Sequence, residues 1–180
     1  HDKTNLVKME DNIQKLQVSS RYLLSLINDV LDMSKMESGK IELEEVPFDL
    51  LDLLDEVVSM IEVQAMGHGL DFIYERHEEI HRQVIGSPVH LRQIFLNIYG
   101  NCIKYNRIGG KIITVSDYTE AVDGITTYEW TITDTGIGMS REYQEHIFEP
   151  FSQEKEDARS TQQGIGLGMS IVKGLIEKMG

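Results

Sequence analysis

Three short segments in the C-terminal half combine polar side chains with glycines at spacings that suit a bound nucleotide. They are the helix segment (residues 97–105), the strand-end segment (residues 134–139) and the glycine segment (residues 164–169). Amide and amine side chains can serve metal and phosphate, a carboxylate can recognise a base, and glycine backbone permits close approach. Together the three segments predict a nucleotide site.

The helix segment aligns polar residues on one helical face. Steps of four and three place Asn97, Asn101 and Lys104 along that face, with Tyr105 next in the chain. An amide oxygen is a neutral hard ligand for Mg²⁺ that already carries triphosphate charge, and lysine supplies a point charge for phosphate. A solvated polar stripe capped by Asn106 would have the same pattern, so this segment alone leaves both interpretations open.

The strand-end segment begins with Asp134 after a predicted strand, where its carboxylate can accept a hydrogen bond from the exocyclic amine of a base. Gly136 and Gly138 would let the backbone approach a flat ring. A polar turn after an edge strand would have a similar composition.

The glycine segment contains Gly164, Gly166 and Gly168. It lacks the third glycine position of the dinucleotide pattern G-x-G-x-x-G, and no Gly-Lys-Ser/Thr follows as in a Walker loop. The simplest functional interpretation is a loop of backbone N–H groups that leads into a helix N-terminus facing phosphates. The alternative is a flexible hinge before an amphipathic helix.

Composition narrows the possible partners. The chain has 180 residues, of which 41% are hydrophobic, enough for one domain and an extra element. Its 30 acidic and 17 basic residues give a net charge of -13, which argues against a broad nucleic-acid or anionic membrane surface. A bound nucleotide must therefore rely on local positive groups, helix N-termini and Mg²⁺.

Cysteine content and hydropathy predict a cytoplasmic location. Cys102 is the only cysteine, which excludes an intramolecular disulfide and fits a reducing compartment. No apolar run is long enough to span a bilayer, and the N-terminus lacks a signal-peptide pattern. The chain begins without Met and stops at Gly180 directly after a helical pattern. We therefore expect an excised fragment, whose parent protein could still be anchored in a membrane.

The first forty residues carry a heptad pattern of apolar side chains, which predicts one long amphipathic helix from about Asn5 to Met36, ended by Ser38-Gly39. Such a stripe must pack against something, most simply a second copy of the helix in a homodimer. The stripe consists of Leu6, Met9, Ile13, Leu16, Leu23, Ile27 and Val30, widened by Leu24 and Leu31.

The remaining chain predicts an α+β fold, a mixed sheet backed by helices. The predicted strands are Ile41–Val46 closed by Pro47, Leu70–Tyr74, Gln83–Ile85, and a hairpin of 111–119 and 125–133 with a turn at Asp123-Gly124. The predicted helices are Leu50–Ala65, one beginning near Pro88 that buries Leu91, Ile94, Phe95, Ile98 and Cys102, a short one at 141–148, and one at 167–179.

The three segments, with Phe148-Glu-Pro-Phe151 between the second and the third, resemble in order and spacing the N, G1, F and G2 boxes of the histidine kinase catalytic domain. That domain belongs to the ATPase group shared with gyrase and large heat-shock chaperones. Residues 20–40 are similar to the second helix of the dimerisation and histidine-phosphotransfer hairpin and its linker. The resemblance, which extends to bacterial hybrid sensor kinases, implies residues 1–40 as hairpin helix and linker and 41–180 as a C-terminally truncated catalytic domain.

The resemblance also implies roles for individual residues. Asn101 would ligate Mg²⁺, Lys104 and Tyr105 would contact the phosphates and nearby nucleotide, and Asp134 would bind the adenine amine. The glycines and their neighbours would line the base (Gly136, Ile137 and Gly138) or cradle phosphates and hinge a lid of residues 152–163 (Gly164, Gly166, Leu167 and Gly168).

Asn97 is the implied catalytic residue. It falls where hydrolysing relatives carry a general-base glutamate, and an amide cannot take a proton at neutral pH. The resemblance therefore implies transfer of the γ-phosphoryl group of Mg-ATP to a histidine, with relay to a response-regulator receiver domain.

The family's acceptor histidine, in a His-Glu/Asp-x-x-Thr-Pro-like motif, has no match here. The start of the chain, residues 1–5, lacks the proline, and the other histidines are scattered (His68, His77, His81, His90 and His146). We therefore expect this chain to bind ATP without phosphorylating itself. Two alternatives stay open: an ATP-hydrolysing member of the same group, and a non-catalytic dimeric signalling scaffold.

Overall fold

The computed structural model describes residues 2–76, 82–120, 126–154 and 165–180. Within the chain two compact units are distinguished, His1–Ile41 and Glu42–Gly180. Each unit is described by itself. In the described residues, no helix combines the length and the apolar character needed to cross a lipid bilayer.

The first unit consists of one helix, α1 (Asp2–Glu37), which confirms the predicted long helix. The helix ends where Gly39, with a φ of +66°, donates its backbone N–H to the carbonyl of Met36 at 2.9 Å. The described apolar residues of the heptad stripe are 46–67% exposed within this unit; they are Met9, Ile13, Leu16, Leu23, Ile27 and Val30.

In its described residues, the second unit combines two small sheets with four helices. Its elements in chain order are β1 (Val46–Asp49), α2 (Leu50–Gly67), β2 (Asp71–Arg76), β3 (Gln83–Gly86), α3 (Pro88–Lys104), β4 (Lys111–Glu120), β5 (Thr126–Asp134), α4 (Arg141–Gln144) and α5 (Gly168–Met179). Strands β1 and β3 form an antiparallel pair. In the second sheet, β4 lies between a parallel β2 and an antiparallel β5. The predicted α+β class with a mixed sheet is confirmed.

The helices bury their apolar stripes against one face of the mixed sheet. Asp49 caps α2 by accepting hydrogen bonds from the N–H groups of Leu51 at 3.0 Å and Asp52 at 3.1 Å. Pro88 occupies the first turn of α3, where its missing N–H costs no helical hydrogen bond. The buried face of α2 comprises Leu50, Leu53, Leu54, Val57, Ile61 and Ala65.

The central strand β4 alternates between buried and outward-facing residues. Ile112, Thr114 and Ser116 are at most 2% exposed and face the helices, whereas Lys111 and Asp117 are exposed. The buried Thr114 hydroxyl is paired with the Tyr99 hydroxyl of α3 at 2.9 Å. Because burial opposes ionisation, it raises the pKa of Tyr99 to about 12. The phenol therefore stays neutral and links α3 to the sheet.

The prediction of a strand at Ile41–Val46 was wrong. The strand is Val46–Asp49, and Pro47 lies inside it opposite Ile85. Among the described residues, strand β1 pairs only with β3, so a residue without an N–H is tolerated on its free side. The alternation of residues 41–46 is a local pattern, whereas the actual strand depends on pairing with a segment nearly forty residues later.

Two helical predictions also need correction. On α3, Leu91 and Ile98 are half-buried, and Tyr99 and Ile103 join Ile94, Phe95 and Cys102 in the core. The short helix α4 ends at Gln144, although 141–148 was predicted. The turn predicted at Asp123-Gly124 lies outside the described residues.

Candidate nucleotide site

Helix α3 holds the polar side chains of the helix segment at the boundary between core and surface. Its apolar face is buried, while Asn97, Asn101 and Lys104 are half-buried on the neighbouring face. The Lys104 ammonium donates a hydrogen bond to the Tyr105 hydroxyl at 2.8 Å and lies 4.5 Å from the centre of that ring. Tyr105 therefore holds the lysine charge close to the end of α3.

The end of α3 is joined to the strand-end segment through the backbone. Ile137 donates its N–H to the carbonyl oxygen of Tyr105 at 3.0 Å. Between them, a Cβ on Gly136 would lie 2.5 Å from that oxygen and 2.6 Å from Oδ1 of Asp134. Only glycine fits this close approach, so the junction fixes the start of the strand-end segment against α3.

Asp134 is the last residue of β5 and is exposed. Its Oδ1 accepts the N–H of Gly136 at 2.8 Å. Burial first, and then the charge of nearby Asp134, raise the pKa of the Cys102 thiol to about 12, so the thiol is protonated at neutral pH. A carboxylate has about four acceptor positions, so capacity is left for the amine of a base.

The N-terminus of α5 lies beside Asn97. A Cβ on Gly168, the first residue of α5, would be 3.1 Å from Oδ1 of Asn97. The residue before it, Leu167, is buried and provides no side-chain cap. The first N–H groups of α5 therefore form an anion-attracting helix end next to the polar face of α3.

The interposed Phe148–Phe151 region contacts the glycine segment. Phe151, with a φ of +62°, donates its N–H to the carbonyl of Gly166 at 3.0 Å. Gly166 has a φ of +79°, and a Cβ there would lie 2.4 Å from the Ser152 carbonyl oxygen. The Tyr143 hydroxyl donates to the same oxygen at 3.2 Å. This small network fixes where the glycine segment enters α5.

The structure thus brings most of the predicted site residues to one region. Tyr105 meets the strand-end segment, and Asn97 meets the glycine segment. Gly138 adopts a φ of +71°, with open space around its Cα. Gly164 and residues 155–163 of the predicted lid lie outside the described residues.

The side chains of this region suit a metal ion that takes most of its ligands from water and a bound nucleotide. In the described parts of the chain, no three His, Cys, Asp or Glu side chains converge to hold a metal ion. Asn101 provides one half-buried amide oxygen. Mg²⁺ commonly takes one or two protein ligands and completes its shell with water and substrate phosphates, so this arrangement fits Mg²⁺ bound to a triphosphate.

The sequence-based prediction missed three residues of this region. Cys102 was assigned only to the core, although the charge of nearby Asp134 affects the pKa of its thiol. Asn106 was considered only as a helix cap, and Thr135 only as a turn residue, yet the Thr135 hydroxyl donates to Oδ1 of Asn106 at 3.3 Å. Each of the three directly follows a predicted site residue, which was the available signal.

Fold and site together define a nucleotide-binding α+β domain, in which one helix is joined at its end to the strand-end segment and lies beside an uncapped helix N-terminus. Residues 86–180 match the family model described as "Histidine kinase-, DNA gyrase B-, and HSP90-like ATPase".

Relatives and solved structures agree with this match. The signal transduction histidine-protein kinase BarA of Escherichia coli K12 is 36% identical over 179 residues, which cover 99% of this chain and 19% of BarA. The sensory/regulatory protein RpfC of Xanthomonas campestris is 31% identical, covering 96% of this chain and 24% of RpfC. Full-length ShkA in complex with AMPPNP superposes with a TM-score of 0.73 at 28% identity, covering 96% of this chain and 34% of ShkA.

The chain therefore belongs to this ATPase family, and the relatives and structures that it resembles are histidine kinases. It spans about a quarter or less of the length of these curated relatives.

Proposed function

We propose that this domain binds Mg-ATP and donates its γ-phosphoryl group to a histidine of a sensor kinase. The observation that carries the proposal is the position of α3 between the two other segments. At one end its last turn is bonded to the strand-end segment through Tyr105 and Ile137, and earlier in the helix Asn97 lies against Gly168. A nucleotide bound there would meet all three segments at once.

At the base end, Asp134 accepts the exocyclic amine of adenine. Its carboxylate is oriented by the Gly136 N–H, which leaves acceptor capacity for the ligand. Gly136, Ile137 and Gly138 line the ring. The carboxylate that recognises adenine is thus held in position before the nucleotide binds.

At the phosphate end, three positive or partly positive groups offset the overall charge of -13. Lys104 supplies a point charge, and the first N–H groups of α5 supply the helix N-terminus. Gly166, Leu167 and Gly168 lead the chain into that helix, and Gly164 is proposed to join them. Asn101 would hold Mg²⁺, which would supply positive charge against the phosphates.

Transfer is favoured over hydrolysis by the chemistry of Asn97. Its amide lies beside the N-terminus of α5, where the terminal phosphate would lie, and an amide cannot remove a proton from water at neutral pH. The acceptor is a histidine on a separate helix of the dimerisation hairpin. The phosphoryl group then passes to an aspartate of a response-regulator receiver domain.

The exposed stripe of α1 supports a homodimer. Its described apolar side chains follow a heptad pattern and are 46–67% exposed within their own unit. A second copy of the helix offers the matching surface. We propose residues 1–40 as hairpin helix and linker and residues 41–180 as the catalytic domain.

Calorimetric titration with Mg²⁺ and a non-hydrolysable ATP analogue tests the nucleotide site. Asp134→Asn should weaken binding about tenfold, because an amide presents a donor where the adenine amine needs an acceptor. Glu129→Gln removes an exposed charge from the same strand and should leave the affinity unchanged. A wild-type chain that binds no nucleotide would point to the scaffold alternative, and steady phosphate release without an acceptor would favour the hydrolase.

A further inference from the structure

The Asn106 side chain connects three parts of the chain that are distant in sequence. Asn106 lies directly after Tyr105, at the end of α3. Its Nδ2 donates to the carbonyl of Lys111 at 3.1 Å, and its Oδ1 accepts from the Thr135 hydroxyl at 3.3 Å. The same Oδ1 also accepts the N–H of Arg107 at 2.9 Å. Both ends of the amide are therefore used.

Thr135 closes the network from the other side. Its hydroxyl accepts the N–H of Lys111 at 2.8 Å, and its own N–H donates to the carbonyl of Lys111 at 3.1 Å. Lys111 begins β4, and Thr135 directly follows Asp134 at the end of β5. We call the set Asn106, Lys111 and Thr135 the clasp; it joins the end of α3 to two strand ends.

The clasp is tightly packed against the backbone of Gly110. A Cβ on Gly110 would lie 2.2 Å from Oδ1 of Asn106 and 2.8 Å from Oγ1 of Thr135. A larger residue at position 110 would occupy the space of the two polar atoms. The clasp therefore requires glycine there, and its geometry leaves little room for displacement.

The clasp and the backbone junction both act on the chain directly after Asp134. Thr135 is held by Asn106, and Ile137 is held by the carbonyl of Tyr105. Asn106 and Tyr105 are adjacent, so the end of α3 anchors the segment that follows the carboxylate at two points. Hydrogen bonds weaken steeply with distance and angle, so such anchoring matters for recognition of an amine.

We propose that Asn106 is a positioning residue for base recognition: through Thr135 it fixes the Asp134 carboxylate where the 6-amino group of adenine binds. This inference rests on the proposed role of Asp134 in the nucleotide site. Asn106 itself acts through another residue and need not touch the base.

Titrations with two nucleotides test the inference. ATP and purine riboside triphosphate, which lacks the 6-amino group, are compared by calorimetry in the presence of Mg²⁺. The wild type should prefer ATP about tenfold, the value of one well-placed hydrogen bond to a charged group. Asn106→Ala and Thr135→Val should bring the two affinities to within about twofold of each other, whereas Thr135→Ser keeps the hydroxyl and should keep the preference.

A merely structural role would weaken both nucleotides equally and leave the preference unchanged, which would overturn the inference. If Asn106→Ala fails to fold, Thr135→Val and Thr135→Ser decide, because only the serine variant keeps the hydroxyl. Thr131 is an exposed threonine of β5, and Thr131→Val should leave both affinities unchanged. A wild type that binds neither nucleotide refutes the proposed function itself, whereas a wild type and an Asn106→Ala variant with equal preference refute only the clasp.

Discussion

Asn97 of α3 lies so close to Gly168 of α5 that an added methyl group would stand 3.1 Å from its side-chain oxygen. The contact couples the polar face of one helix to the N-terminus of another. At this distance the added atom displaces its neighbour by a few tenths of an ångström, and the Asn97 amide can yield more readily than backbone.

Gly168→Ala should therefore disturb the site more than the fold. Alanine is a better helix former than glycine at the start of α5, which offsets the tight contact, and the free energy of unfolding should change by less than about 1 kcal/mol. Affinity for the Mg-ATP analogue should fall severalfold, because Asn97 moves relative to the helix end. Thermal unfolding and calorimetry measure the two effects. A loss of several kcal/mol with unchanged affinity would contradict the assignment.

Gly136→Ala should disturb the fold as well as the site. The new Cβ would meet the carbonyl oxygen of Tyr105 at 2.5 Å, and backbone cannot rotate away as a side chain can. We expect a loss of about 1–3 kcal/mol in unfolding free energy from overpacking, together with a loss of nucleotide binding. Denaturant titration measures the first quantity and calorimetry the second.

Gly100→Ala is the matched control for that substitution. Gly100 is an exposed position inside α3, and a Cβ there meets nothing within 4 Å. Alanine should therefore stabilise the domain by about 0.5–1 kcal/mol through helix propensity, with unchanged affinity. If both glycine substitutions destabilise the fold alike, the close approach at Gly136 is not the cause.

Stability should fall in alkaline solution because of Cys102. Burial and the neighbouring Asp134 raise the pKa of its thiol from 9.0 to about 12. Above pH 9 the unfolded chain releases this proton while the folded chain retains it, so the unfolding free energy declines by up to about 1.4 kcal/mol per pH unit until the folded pKa is reached.

Cys102→Ser removes this contribution, because serine does not ionise in that range. The stability difference between wild type and variant, measured by urea titration at several pH values, should therefore be constant below pH 9 and shift in favour of the variant above it. Tyr99, with a pKa raised from 10.0 to about 12, adds a similar decline to both proteins and cancels in the comparison. A difference that is independent of pH up to 11 would contradict the buried, protonated thiol.

The proposed homodimer predicts a specific response to charge on α1. Leu16→Glu and Leu23→Glu place carboxylates at exposed heptad positions of the stripe and should convert a dimer into a monomer in sedimentation equilibrium. Gln14→Glu adds the same charge at an exposed position outside the stripe and should leave the mass unchanged. A wild type that sediments as a monomer at all concentrations would refute the proposal.

Local sequence patterns predicted the helices well, because the apolar spacing of a helix is visible within a few turns of its own sequence. The apolar spacing in α1, α2 and α3 and the proline at position 88 sufficed to place them. Strand β1 was misplaced because its existence depends on pairing with residues 83–86, which no local alternation reveals. Tyr99 was not predicted as a core residue for a similar reason. Its hydroxyl can be buried because it is paired with Thr114, which lies on a strand distant in sequence.

For the candidate site, too, local sequence was informative and contacts between distant segments were not visible. Residues defined by their own chemistry, such as Asp134 and Lys104, could be proposed from the sequence. Residues defined by contact could not: the clasp joins Asn106 to Thr135 across 29 positions. Sequence spacing identifies groups that can bind a ligand, but the residues that hold them in place appear only when the strands are paired.

The hydrogen bond from Phe151 to Gly166 has an evolutionary consequence. It brings both ends of the intervening stretch to one point, so that point, and not the number of residues between, defines where α5 begins. The number of residues between Phe151 and Gly166 can therefore change without moving the Asn97–Gly168 contact.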